Sequence, residues 1–168
     1  SSAHRIGIAA ARRLKDARAL LLAALGDERG RLGDLVWTSG GTEADALGVL
    51  GVARARAGRG RHLVVTAIEH PAVLGASQLL ATEGFSTTFV GVGQNGVVSP
   101  AAMADAVTDE TVVVAVMHVN NELGTIQPVA EVARAVRARA KDVHVHCDAV
   151  QALGKIPVDV EALGVDTI

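Results

Sequence analysis

The sequence predicts an α/β fold, a mainly parallel sheet covered by helices. Three observations predict it. Helical and strand-like segments alternate almost throughout, the order that builds parallel sheets through crossover helices. Residues 112–117 are apolar at every position, as a parallel strand buried on both faces requires. Polar groups then recur just past the expected strands, at residues 39–42, 69–70, 120–122 and 148–151. In open parallel sheets, ligands bind outside the carboxyl ends of the strands.

The elements follow in order. Residues 5–25 are rich in Ala, Leu and Arg at helical spacing, and Gly26 stops them. A short strand is expected at 35–38, breaking into Ser39-Gly40-Gly41-Thr42, with a helix from there to about residue 57 that ends at Gly58-Arg59-Gly60. A strand at 62–68 leads to Pro71, which suits the first position of a helix running to Gly84. Residues 87–90 form the next strand, and Asn95-Gly96 marks a turn. Ser99-Pro100 pairs a cap with a first helical residue and opens a helix to about 107. The apolar strand 111–118 follows, then a loop over 119–128, a helix at 129–140 and a strand at 143–147. Val165 begins a further strand.

Composition narrows the function. A chain of 168 residues supports one domain with a real core. A net charge of -2, with Arg and Lys spread over helices and turns, argues against a nucleic-acid partner. No apolar run approaches the roughly 18 residues of a membrane span, and the opening Ser1-Ser2-Ala3-His4-Arg5 has no apolar core of a secretion signal. We therefore expect no membrane role. The single cysteine, Cys147, excludes an internal disulfide and fits the cytoplasm. With 2% aromatic residues, the core must pack through aliphatic side chains.

The polar groups each admit two readings. Ser39-Gly40-Gly41-Thr42 joins a strand to a helix, so it suits an anion at free helical N–H groups or serves as an ordinary turn and cap. His70, at the mouth of a helix, could stack on a flat ring and relay protons, or simply cap the helix. Asn121 and Gln151 could bond ring substituents or satisfy nearby loop backbone. Asp148 ends a buried strand, where a carboxylate wants a cationic partner. A protonated ring nitrogen would serve, and the alternative is a surface acid or a cap. His144, His146 and Asp148 share one strand face, with His118 nearby, and resemble a two-His-one-carboxylate metal set. A packed central strand argues against it, so no metal is expected. Gly91-Val92-Gly93-Gln94-Asn95-Gly96 matches a dinucleotide fingerprint but opens no helix directly and is followed by no acid at the usual spacing. Cys147, beside Asp148 in an apolar strand, reads as a core residue rather than a nucleophile.

Taken together, five stretches resemble the class V aminotransferase group, specifically cysteine desulfurases of the iron–sulfur assembly type. They are Ser2-Ala3-His4-Arg5-Ile6-Gly7, Trp37-Thr38-Ser39-Gly40-Gly41-Thr42-Glu43, Glu69-His70-Pro71-Ala72-Val73, 117–124 (MHVNNELG) and 146–157 (HCDAVQALGKIP), in family order and spacing. The resemblance implies the large pyridoxal-phosphate-binding domain of the fold type I aminotransferase kind. It implies Gly41 and Thr42 on the phosphate, and His70 stacked on the ring as the catalytic proton carrier. Asn121 and Gln151 would reach the ring hydroxyl, and Asp148 the pyridinium nitrogen. The implied reaction removes sulfur from L-cysteine, giving alanine and an enzyme persulfide for iron–sulfur or thio-cofactor assembly. The implied partners are L-cysteine, a sulfur acceptor or iron–sulfur scaffold protein, and a second copy in a homodimer. The family's Schiff-base lysine lies in a Ser-x-x-Gly-His-Lys stretch, and Lys15, Lys141 and Lys155 match none of it. We therefore expect residues 1–168 to be a partial large domain lacking that lysine, the sulfur-accepting cysteine and the small C-terminal domain. Such a piece would be inactive alone and touch the cofactor only non-covalently. A selenocysteine lyase, another class V lyase, and a non-catalytic scaffold of the same fold are the alternatives.

Overall fold

The computed structural model describes residues 4–27 and 33–168; the Ser2-Ala3 part of the opening motif lies outside them. Helix α1 spans Arg5–Ala24 and is capped by His4, whose Nδ1 accepts from Gly7 N. Helices α2 (Gly41–Ala46) and α3 (Val52–Ala55) are joined without a break by a π-helical turn, Leu47–Gly51. After them come β1 (His62–Thr66), α4 (Pro71–Thr82), β2 (Ser86–Val90), α5 (Pro100–Asp105), β3 (Thr111–Ala115), α6 (Val129–Arg139), β4 (His144–His146) and α7 (Val160–Leu163). Cap chemistry sets several starts. The His70 imidazole accepts from Ala72 N ahead of Pro71, Ser99 Oγ accepts from Ala102 N ahead of Pro100, and Asp159 accepts from Ala162 N.

The strands form one parallel sheet in the order β2-β1-β3-β4. Alternate residues feed two cores. Leu63, Val65, Val113 and Ala115 pack with Val49, Ala53, Val73 and Leu80 from the α2–α3 and α4 side. Val64, Val114 and Val145 pack with Met103, Val132 and Val136 from the α5 and α6 side. Both sheet faces are therefore covered, which explains the uninterrupted apolar run of β3. The core is aliphatic, as the scarcity of aromatics requires.

Three expectations need correction. Residues 35–38 form no strand. Val36 and Trp37 are exposed, and no neighbouring strand takes up their backbone groups. Strand β3 ends at Ala115 rather than 118, although Val116 N and His118 N still donate to the carbonyls of His146 and Asp148. The expected strand at 165 is reduced to a single parallel bridge between Thr167 and His146.

Gly60 lies against the chain entering β3: a Cβ there would collide with the Glu110 carbonyl. At Gly58 a Cβ would meet nothing within 4 Å. Gly60→Ala should lower the unfolding free energy by about 1–3 kcal/mol, while Gly58→Ala should stay within roughly 0.5 kcal/mol of the parent. Equilibrium urea denaturation of the two variants measures the difference.

Candidate active site

The strand order fixes where the site lies. From β1 the chain leaves through α4 to β2 on one side; β3 lies on the other side of β1 and leads through α6 to β4. The connections part between the carboxyl ends of β1 and β3, the crevice where parallel sheets place ligands. Glu69 spans that crevice. It is 5% exposed, and its Oε1 accepts from Thr66 Oγ1 at 2.5 Å and from Met117 N at 2.6 Å. Oε2 is buried without a hydrogen-bond partner among the described residues. Burial pushes the Glu69 carboxyl up to about 8, reinforced by the charges of Asp148 and Asp45. At neutral pH it is therefore mainly a neutral acid.

Asp148 lies just past β4 and is buried. Its Oδ1 accepts from Val150 N at 2.9 Å, and Oδ2 has no hydrogen-bond partner among the described residues. Burial raises its pKa; the Val150 amide pulls the other way, Asp45 adds to the rise, and His146 and His70 oppose it. His70 therefore lies within electrostatic reach of Asp148. Its Nδ1 is occupied as acceptor from Ala72 N at 3.1 Å, so the capping role is realised and a neutral ring carries its proton on Nε2. Gly41, the first residue of α2, is brought to the same place: a Cβ on it would meet Val150 Cγ2 at 2.8 Å. Gly41, His70 and Asp148 thus converge. Thr42 is exposed beside Gly41. Gln151 is half-buried, and its Oε1 is taken by Lys155 Nζ, leaving the amide nitrogen. Asn121 is exposed in the turn after β3 and makes no hydrogen bond among the described residues. Its neighbour Asn120 is structural: it donates to Ile68 O and accepts from Glu122 N and Leu123 N.

His144 Nε2 and His146 Nδ1 both lie 2.9 Å from Thr167 Oγ1. Among the described residues no group of three or more His, Cys, Asp or Glu is arranged to hold a metal ion. Cys147 is fully buried, and burial pushes its thiol well above the usual range, which keeps it un-ionised.

The sequence reading passed over two buried acids. Glu69 was visible beside His70 at a strand end. Asp45 lies on the inner stripe of its helix with Gly48, Val49 and Ala53, all buried; a charge on that apolar stripe was the signal for it.

Fold and site together define an α/β domain with a polar crevice at the carboxyl ends of its strands. The aminotransferase class-V family model matches residues 1–168, and the chain belongs to that family. It is 44% identical over 133 residues to the cysteine desulfurase IscS of Stutzerimonas stutzeri (strain A1501) and 47% identical over 133 residues to that of Anaeromyxobacter sp. (strain K). Each match covers 79% of this chain and 32% of the relative. Among solved structures, a NifS-like protein superposes with a TM-score of 0.88 at 38% identity, covering 98% of this chain and 44% of that one. SspA in complex with cysteine gives 0.87 at 30% identity, covering 98% and 46%. The fold is the fold type I of pyridoxal-phosphate enzymes. The chain spans about a third of the length of the curated relatives it matches.

The pKa shifts carry a sign that can be measured. Glu69 rises from 4.5 to about 8, so the folded state holds a proton the unfolded state has lost, and stability falls as pH climbs through that window. His144 falls from 6.5 to about 4, chiefly through burial, so its contribution is complete above pH 6.5 and is lost as pH drops towards 4. Between pH 6.5 and 7.5 Glu69 dominates of the two. The parent should lose about 1 kcal/mol over that unit, and Glu69→Gln should hold level. Denaturant melts at the two pH values compare them.

Proposed function

We propose that this chain is the cofactor-holding part of a pyridoxal-phosphate-dependent cysteine desulfurase, one that takes sulfur from L-cysteine, leaves alanine and passes the sulfur on as a persulfide. One observation carries the reading: a buried Asp148 with an unpartnered oxygen, brought close to His70 and to the first residue of α2. The class-V family depends on pyridoxal phosphate in general, and this donor set fits it. A buried carboxylate lacking a cation suits a pyridinium N–H. Amides at the start of a helix that runs unbroken from Gly41 to Ala55 suit a phosphate.

When bound, the cofactor supplies an electron sink for chemistry at the α-carbon of an amino acid. The chain's residues do the rest. Gly41 and Thr42 hold the phosphate end, and Asp148 keeps the ring nitrogen protonated. Asn121 and the free amide of Gln151 reach the ring hydroxyl. His70 covers the ring, with its Nε2 proton available for transfer. Lys155, engaged with Gln151, is not the covalent anchor in this reading. The anchoring lysine, the sulfur-accepting cysteine and the small domain belong to the remainder of a longer enzyme. That enzyme works as a homodimer in the cytoplasm and hands sulfur to an acceptor or iron–sulfur scaffold protein.

The test uses the full-length parent protein. It should bind one pyridoxal phosphate per chain and release alanine from L-cysteine. Asp148→Asn should cut alanine release on the order of a hundredfold with the fold intact by circular dichroism. A parent that binds no cofactor, or binds it without releasing alanine, sinks the proposal.

A further inference from the structure

A second polar pair lies beneath the site, between the helix that opens at Gly41 and β4, whose chain runs on to Asp148. His146 and Asp45 are buried at 2% and 3% exposure. His146 Nε2 lies 3.4 Å from Asp45 Oδ1, at ion-pair distance, and Nε2 makes no hydrogen bond among the described residues. The imidazole is fixed on its other sides. Nδ1 meets Thr167 Oγ1 at 2.9 Å. The π-helical turn crosses directly over the ring, so close that a Cβ on Gly48 would stand 2.5 Å from Cε1. π-Turns inside helices recur at functional positions. The register puts His146 on the helix-facing side of the sheet, opposite Ala115 of β3.

The positions are telling. Asp45 is four residues past Gly41, about one turn along the same helix. His146 is two residues before Asp148 on the same strand face. Gly41 and Asp148 hold opposite ends of the cofactor in the function proposed above, on which this inference rests. Among the described residues Asp45–His146 is the one polar side-chain contact between that helix and β4.

We propose that Asp45 and His146 are positioning residues: their contact sets the spacing between the phosphate-holding start of α2 and Asp148. A cofactor that must touch both ends binds tightly only when that spacing is fixed before it arrives. Neither residue touches the cofactor. A ring pinned by Thr167 and the Gly48 turn, with Nε2 at 3.4 Å from one carboxylate, acts as a spacer of defined length.

The experiment is a pyridoxal phosphate titration of the full-length apo-protein, followed by the cofactor's absorbance and by protein fluorescence, with the apo-protein's melting temperature as a control. Four proteins are compared: the parent, Asp45→Asn, His146→Asn and His146→Gln. A glutamine amide can reach where Nε2 stands and keep the Asp45 contact; an asparagine amide reaches only the Nδ1 position and loses it. His146→Asn should weaken cofactor binding on the order of tenfold or more, and His146→Gln should recover most of that loss. Asp45→Asn should weaken binding in the same direction as His146→Asn, because it alters the other side of the same contact. Equal affinities in all four proteins overturn the inference while leaving the proposed function standing. So does an equal loss in both His146 variants that tracks their melting temperatures, because that marks a merely structural role. A parent that binds no pyridoxal phosphate overturns the functional reading and this inference with it.

Discussion

The Glu69 carboxyl is the contact on which the site depends. It closes the gap between the ends of β1 and β3 by accepting the Met117 amide at 2.6 Å. Parallel strands that diverge at a switch point have no ladder partner beyond their last paired residues. An amide left unpaired there would cost about 1–3 kcal/mol. A side-chain acceptor from the neighbouring strand end removes that cost and also fixes the loop that leaves each strand. On the β1 side the next residue is His70, locked in turn by its bond to Ala72 N. On the β3 side Asn120 bonds Ile68 O and so returns to the β1 loop. The walls of the crevice are thus tied to each other rather than placed independently.

Three carboxyl groups, Asp45, Glu69 and Asp148, share this buried region, and each is accommodated differently. Glu69 keeps its proton, because burial outweighs the two hydrogen bonds that favour the ionised form. Asp45 faces an imidazole. Asp148 has only one backbone amide, and the remaining partial charges on it come from His146 and His70 at longer range. Asp148 Oδ2 and Glu69 Oε2 are both left without a hydrogen-bond partner among the described residues. A neutral Glu69 matters here, since a second full negative charge nearby would press Asp148 further towards taking up a proton of its own.

Much of this was legible in the sequence. The period-free apolar run of β3 and the helix–strand alternation specified a covered parallel sheet. Ser99-Pro100 and His70-Pro71 marked helix starts that the structure keeps. Asp148 as a buried strand-end acid was readable from the apolar residues before it. What failed to show depended on tertiary partners. Residues 35–38 have strand-like composition, yet composition cannot supply a neighbouring strand, and the segment stays irregular. Alternation put His144 and His146 on one face, and the packed strand argued against a metal set there, but their actual partner could not be read. Thr167, twenty-one residues past His146, takes both rings instead, and nothing local announced it. Asp45 and Glu69 became notable only through burial, a property of the packed chain.

The site's dispersal has an energetic consequence. Gly41, His70, Asn121 and Asp148 come from four separate parts of the chain: the start of α2 and the segments that follow β1, β3 and β4. Under the function proposed above, no isolated segment would hold the cofactor, so the folded sheet would bind it and the unfolded chain would not. Binding and folding are then linked, and ligand stabilises the sheet by RT ln(1 + [L]/Kd). That linkage acts most strongly on the contacts that gather the four groups, above all the Glu69 bridge between β1 and β3 and the Asp45–His146 contact between α2 and β4. The same contacts that cost the fold buried polar groups are those a ligand reinforces. The strain of an acid-rich interior is thereby placed where binding can relieve it.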